Sequence, residues 1–132
     1  MSDRFGLFYG PRGDWVGTWN EGRIRVRVEG AVDAPNAGQV ARLTALVDRW
    51  AEVSAEIAAF GRALDRVVLQ APLQGGFASS SCGFDGELFY EAIMVREEDV
   101  RVTFYTGYPD GYATFEARLH EGRVVEITAF AS

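Results

Sequence analysis

The sequence predicts an α+β fold: an antiparallel β-meander, one long amphipathic helix packed on the sheet, and a C-terminal antiparallel meander. Three observations carry this expectation. Arg23 to Glu29 alternates cleanly, with Ile24, Val26 and Val28 on one face and Arg23, Arg25, Arg27 and Glu29 on the other; that period marks a half-buried strand. Val40, Leu43, Val47, Trp50, Val53, Ile57, Phe60 and Leu64 recur at steps of three and four, making a broad apolar helical stripe. After residue 76, apolar segments alternate with turn-forming residues, as in a meander.

The elements follow in order. Phe5 to Tyr9 and Trp15 to Trp19 flank the turn Gly10-Pro11-Arg12-Gly13-Asp14, and Asn20-Glu21-Gly22 leads into the alternating strand. Asp33-Ala34-Pro35-Asn36 supplies turn and capping chemistry. The helix is expected from about Gly38 to near Arg66, with Arg42, Arg49, Glu52, Glu56, Arg62 and Asp65 off the apolar stripe. Leu43, Trp50, Ile57 and Leu64 are also spaced by seven, but one helix in a strand-rich chain lays such a stripe on a sheet. Further strands are expected at Phe77 to Phe84, Glu87 to Val95, Val100 to Thr106, Tyr112 to His120 and Arg123 to Ala131. Setting Phe104 opposite Ala113 puts Tyr105 opposite Tyr112, Thr103 opposite Thr114 and Arg101 opposite Glu116. Setting Leu119 opposite Val125 puts Arg118 opposite Glu126, so that oppositely charged and aromatic pairs align.

The 132 residues, 48% hydrophobic and 24% charged, suit a single globular domain over 1–132. The start Met1-Ser2-Asp3-Arg4 has no basic region followed by an apolar run, and no stretch reaches the roughly 20 apolar residues of a membrane span. A single cysteine, Cys82, excludes an internal disulfide. A cytoplasmic protein with no membrane contact is expected. All 13 basic residues are arginine, which reads as the codon bias of a GC-rich bacterial genome and rules out lysine Schiff-base and P-loop chemistry.

Charge is distributed unevenly. Nine arginines and nine carboxylates stand up to Leu69; four arginines and ten carboxylates follow, so the whole net charge of −6 falls in the second half. Such asymmetry bears on partners and association rates. An acidic C-terminal face disfavours nucleic acid and favours a basic protein.

Catalytic chemistry is sparse. Cys82 and His120 are the only thiol and imidazole, yet Cys82 is followed by glycine with no nucleophile signature. Ser79-Ser80-Ser81 lacks the Gly-x-Ser-x-Gly context. One His and one Cys supply half of a usual zinc set, and Asp85-Gly86-Glu87 reads as a hairpin turn rather than a calcium loop. No carboxylate pair is marked out for acid–base work. The Arg23, Arg25, Arg27 stripe could track phosphates, but the acidic total favours its neutralisation by carboxylates on neighbouring strands. No enzyme activity, cofactor or metal is expected.

The opening Phe5-Gly6-Leu7-Phe8, the Trp-containing second strand, the single amphipathic helix and the closing strands Tyr112-Ala113-Thr114-Phe115-Glu116 and Val124-Val125-Glu126-Ile127 form a recognisable layout. It resembles small bacterial α+β domains, some of them immunity proteins of polymorphic toxin systems. Phe89-Tyr90-Glu91-Ala92 stands where some members carry a Gly-His element. The resemblance implies a cofactor-free inhibitor that occludes a toxin such as a nuclease or deaminase. Together with the charge asymmetry, it leads to the expectation of a non-enzymatic module contacting a basic partner through Glu97, Glu98, Asp99, Tyr108, Asp110 and Tyr112. Two alternatives stay open: a small-molecule or hydrolytic pocket between helix and sheet lined by Trp15, Trp19 and Trp50, and a homodimer through the helix stripe or a sheet edge.

Overall fold

The structure, a computed structural model, describes residues 4–63, 68–69, 88–106 and 113–131. Its strands are β1 (Phe8–Tyr9), β2 (Trp15–Trp19), β3 (Ile24–Val28), β4 (Gly30–Ala31), β5 (Ala34–Pro35), β6 (Val68–Leu69), β7 (Leu88–Val95), β8 (Val100–Thr106), β9 (Ala113–His120) and β10 (Arg123–Ala131). Between β5 and β6 run two helices, α1 (Ala37–Asp48) and α2 (Trp50–Ala63). Eight strands form one sheet in the order β1-β2-β3-β7-β8-β9-β10-β6, and β4 and β5 make a small separate ribbon. The expected strand Phe77 to Phe84 lies outside the described residues.

Both meanders are present. β1, β2 and β3 pair antiparallel in sequence, as do β7 through β10. What joins them is a parallel pairing of β3 with β7, with Val26 opposite Ile93, so the sheet is mixed. A parallel neighbour requires a crossover, and the helices provide it.

The single long helix is corrected to two. Arg49 leaves the helical region (φ −111°, ψ 25°), and its N–H donates to the Leu46 carbonyl at 3.1 Å, a tightened last turn that closes α1. Its own carbonyl accepts from Val53 N at 2.9 Å and so begins α2. The break lets each half follow a different part of the sheet: α1 lies over β7 and beside β5, and α2 over β10. The start of α1 is as expected, since Asn36 Oδ1 accepts from Gln39 N at 3.0 Å.

The core lies between helices and sheet. Leu43, Leu46, Val47, Val53 and Ile57 pack against Val26, Val28, Ile93, Val95, Val102, Phe104, Phe115, Ala117, Leu119 and Ile127. An aromatic file crosses this layer, from Trp19 to Trp50 (5.4 Å between centroids), Tyr90 (4.9 Å), Phe104 (5.7 Å) and Phe115 (5.4 Å). Each fully buried phenylalanine here contributes about 1.5–3 kcal/mol relative to exposure.

The β8–β9 register is shifted by two residues from expectation: Phe104 faces Phe115, Thr103 faces Glu116 and Arg101 faces Arg118. A two-residue slip keeps every side chain on its face, so the inner set is unchanged, and it stacks Phe104 on Phe115 inside the core. Arg101 Nη1 still reaches Glu116 Oε1 diagonally, at 3.3 Å. Arg118 faces Glu126 as expected, with a 3.2 Å ion pair. Leu119, however, faces Val124, because a bulge between Val124 and Glu126 moves Val125 out of the pairing and into solvent.

Candidate partner-binding surfaces

The turn Arg96-Glu97-Glu98-Asp99 closes the β7–β8 hairpin, with Arg96 N donating to Asp99 O at 2.8 Å. Its backbone is held from two sides. Arg42 Nη2, on α1, donates to the carbonyls of Arg96 (2.6 Å) and Glu97 (3.1 Å), and His120 Nδ1 lies 3.2 Å from the Glu98 carbonyl. The carboxylates of Glu97 and Glu98 stay exposed and make no ion pair among the described residues. Asp99 behaves differently. It is turned inward, its side chain 13% exposed, with Oδ1 3.5 Å from Arg101 Nε. Its charge is spent on the sheet, which removes it from the accessible set.

Glu121 joins this end of the sheet. The β9–β10 turn stands beside the β7–β8 turn because Val100 faces Leu119, and His120 Nε2 lies 3.4 Å from the exposed Glu121 carboxylate. Sequence reasoning missed Glu121, although an antiparallel meander alone places alternate turns together. Tyr108, Asp110 and Tyr112 lie outside the described residues. The described residues on either side of them, Thr106 and Ala113, sit at the other end of β8 and β9, about 20 Å from the Glu97–Asp99 turn at the usual rise per residue.

The helices cover one face of the sheet. On the other, the register lines up Val16, Arg27, Met94, Arg101, Arg118 and Glu126 in one cross-strand row, with Thr18, Arg25, Ala92, Thr103, Glu116 and Thr128 in the next. The negative charge expected over the C-terminal sheet is therefore absent from its described outer face, where Arg101 and Arg118 are interleaved with Glu116 and Glu126. The described acidic surplus sits in the turns. Neutralisation of the β3 arginines by neighbouring strands is also corrected: the strands beside Arg25 and Arg27 present Val16, Thr18, Ala92 and Met94. Arg27 instead meets Asp14 of the preceding turn at 3.6 Å, and Arg25 has no ion pair among the described residues.

Among the described residues the helix–sheet interface, where the alternative reading sets a small-molecule pocket, is lined mainly by apolar side chains. Among the described residues Gln39 is the one buried polar side chain, at the margin of the core. Its Oε1 accepts from Glu29 N at 2.7 Å and its Nε2 donates to Glu29 Oε1 at 2.6 Å, so its hydrogen-bonding capacity is used within the fold. Trp19 and Trp50 pack edge to face on the core, while Trp15 meets Tyr9 and donates from Nε1 to Ala31 O at 2.8 Å. No group of three or more His, Cys, Asp or Glu side chains among the described residues is arranged to hold a metal ion, and no described helix is long and apolar enough to cross a membrane. Cys82, and with it the Cys82–His120 pair, lies outside the described residues.

No protein-family model, curated protein or solved structure matches this chain.

Proposed function

We propose that this chain is a non-enzymatic protein-binding module whose acidic turns engage a basic protein partner, in the manner of a cytoplasmic immunity protein occluding a bacterial toxin such as a nuclease or deaminase. The observation that carries the reading is the state of Glu97 and Glu98. Their backbone is pinned by Arg42 and His120, while their carboxylates are exposed and unpaired among the described residues. A turn whose backbone is already held loses little main-chain freedom on binding, and like charges displayed together accelerate encounter with an oppositely charged surface. Glu121, beside them, extends the same rim.

The test is affinity capture of the tagged protein from its host across a salt series, followed by association kinetics with the recovered partner. Changing Glu97→Arg and Glu98→Arg together is expected to slow association roughly tenfold or more and to flatten its salt dependence. Stability should move by no more than about 0.5 kcal/mol, because both side chains are exposed. Asp99 is left in place, since an arginine there would set a like charge against Arg101 at a largely buried position. An unchanged association rate would remove the acidic-rim reading, and recovery of untagged copies of this chain with the tagged one would point to the homodimer.

A further inference from the structure

A groove of about 450 Å³ opens on the outer face of the sheet, over β2, β3 and β7. Residues 5–8 wall it on one side. Phe5 is buried on the helix side of the sheet at 4% exposure, whereas Phe8, opposite Val16, stands 58% exposed on the outer side. Gly6, at φ +61°, makes the bend between them, a conformation that strains other residues. Val16, Ala92 and Met94 make the floor largely apolar, and Arg25 and Arg27 are its charged groups.

The charge of this groove is what identifies an occupant. Two guanidinium groups two residues apart on one strand point to the same face, and one carboxylate, Asp14, approaches Arg27. Among the described residues Arg25 makes no ion pair, so the positive charge of the site centres on it. Glu91 adjoins Ala92, which faces Arg25, and makes no ion pair among the described residues; in the Arg25 row itself the nearest carboxylate is Glu116, three strands away, roughly 14 Å at the usual strand spacing. It is already engaged by Arg101. A volume of this size, mostly apolar with few polar groups, has the character of a small-molecule site.

We propose that this groove binds a small amphipathic anion, its acidic group held by the planar fork of Arg25 and its apolar body lying on Phe8, Val16, Ala92 and Met94. A fork of N–H donors matches a carboxylate or a phosphate monoester equally well, so both head groups belong to the proposal. The site is distinct from the acidic rim, and it stands or falls independently of the partner that rim engages.

The experiment is calorimetric titration of the intact protein with decanoate, decyl phosphate and decanol, each below its aggregation concentration, repeated with Arg25→Gln and Ala92→Trp. At least one of the two anions is expected to bind saturably at one site, roughly tenfold or more tighter than decanol. Arg25→Gln, at an exposed strand position, is expected to erase that preference, and Ala92→Trp to block all three ligands by filling the floor. A tighter decanoate would identify carboxylates as the natural head group, and a tighter decyl phosphate would identify phosphate monoesters. Absence of saturable binding by both anions would overturn the proposal, as would equal affinity for decanol on the unaltered protein, a comparison that needs no variant to fold. Anion preference undiminished in Arg25→Gln would overturn it as well.

Discussion

Gly17→Ala offers a sharp test of how residues 4–8 are held. A Cβ on Gly17 would lie 2.2 Å from the Phe5 carbonyl oxygen, 3.1 Å from its carbonyl carbon and 3.2 Å from Leu7 Cδ2. The first of these is backbone, so the segment has to move away. Moving it breaks the 2.9 Å bond from Thr18 N to Phe5 O and withdraws the Phe5 ring from the core. Losing the burial costs about 1.5–3 kcal/mol and losing the hydrogen bond about 0.5–1.5 kcal/mol. The alanine restores about 0.4–1 kcal/mol by restricting the unfolded chain. The net expectation is about 2–3 kcal/mol of destabilisation, or roughly 8–12 °C in Tm for a chain of this length. Thermal and urea unfolding would measure it, with Phe5→Ala and the double variant completing a cycle. Phe5→Ala alone is expected to cost about 3 kcal/mol, and adding Gly17→Ala to it less than about 1 kcal/mol, because both release the same segment. A Gly17→Ala protein melting within about 2 °C of the unaltered one would refute the reasoning. So would strict additivity of the two costs.

Two further expectations concern pH. Glu56 Oε2 accepts from Val124 N at 2.8 Å and pairs with Arg123 at 3.1 Å. The backbone bond chiefly, then the Arg123 guanidinium, hold its carboxyl below the ordinary value despite some opposing burial. A depressed folded pKa gives stability that is present above the unfolded value and lost as pH falls through the folded one. Glu56→Ala is therefore expected to cost about 1–2 kcal/mol at neutral pH, with the gap closing as acid unfolding is followed downward from 4.5; a gap independent of pH would count against the bond. Tyr90 stands at the other extreme, where burial alone pushes its phenol from 10.0 up to about 12. Its stabilising effect is whole below pH 10 and is lost as pH rises toward that value, because the unfolded chain ionises first. Tyr90→Phe should thus resist alkaline unfolding better than the unaltered protein, and identical alkaline midpoints by circular dichroism would contradict this.

Much of the fold was legible because periodicity reports which face of an element is apolar. β2, β8 and β10 have the expected bounds, and Leu43, Val47, Val53 and Ile57 of the helical stripe are all buried. The helix break was not legible, because Asp48-Arg49-Trp50 contains no glycine or proline to mark it. Phe5 to Tyr9 read as one strand although Gly6 marked the bend, and only Phe8–Tyr9 are strand. At the candidate site, the exposed Glu97 and Glu98 followed from turn chemistry. The inward turn of Asp99 did not, because it depends on where Arg101 is held, and Glu116 of β9 shares that guanidinium.

By itself the sequence determined the sidedness of the strands and helices, the position of the described turns and the cap at Asn36, all of which rest on residues within a turn or two of one another. Tertiary structure alone decided that β3 lies against β7, which sets Arg25 and Arg27 opposite Ala92 and Met94 instead of opposite carboxylates of a neighbouring strand. It also decided that β8 and β9 pair two residues from the most charge-complementary register. Both choices have one physical reason. Alternation preserves its pattern under any even shift and any choice of neighbour, so the selection among them falls to long-range packing, here the stacking of Phe104 on Phe115 and the crossover made by the helices.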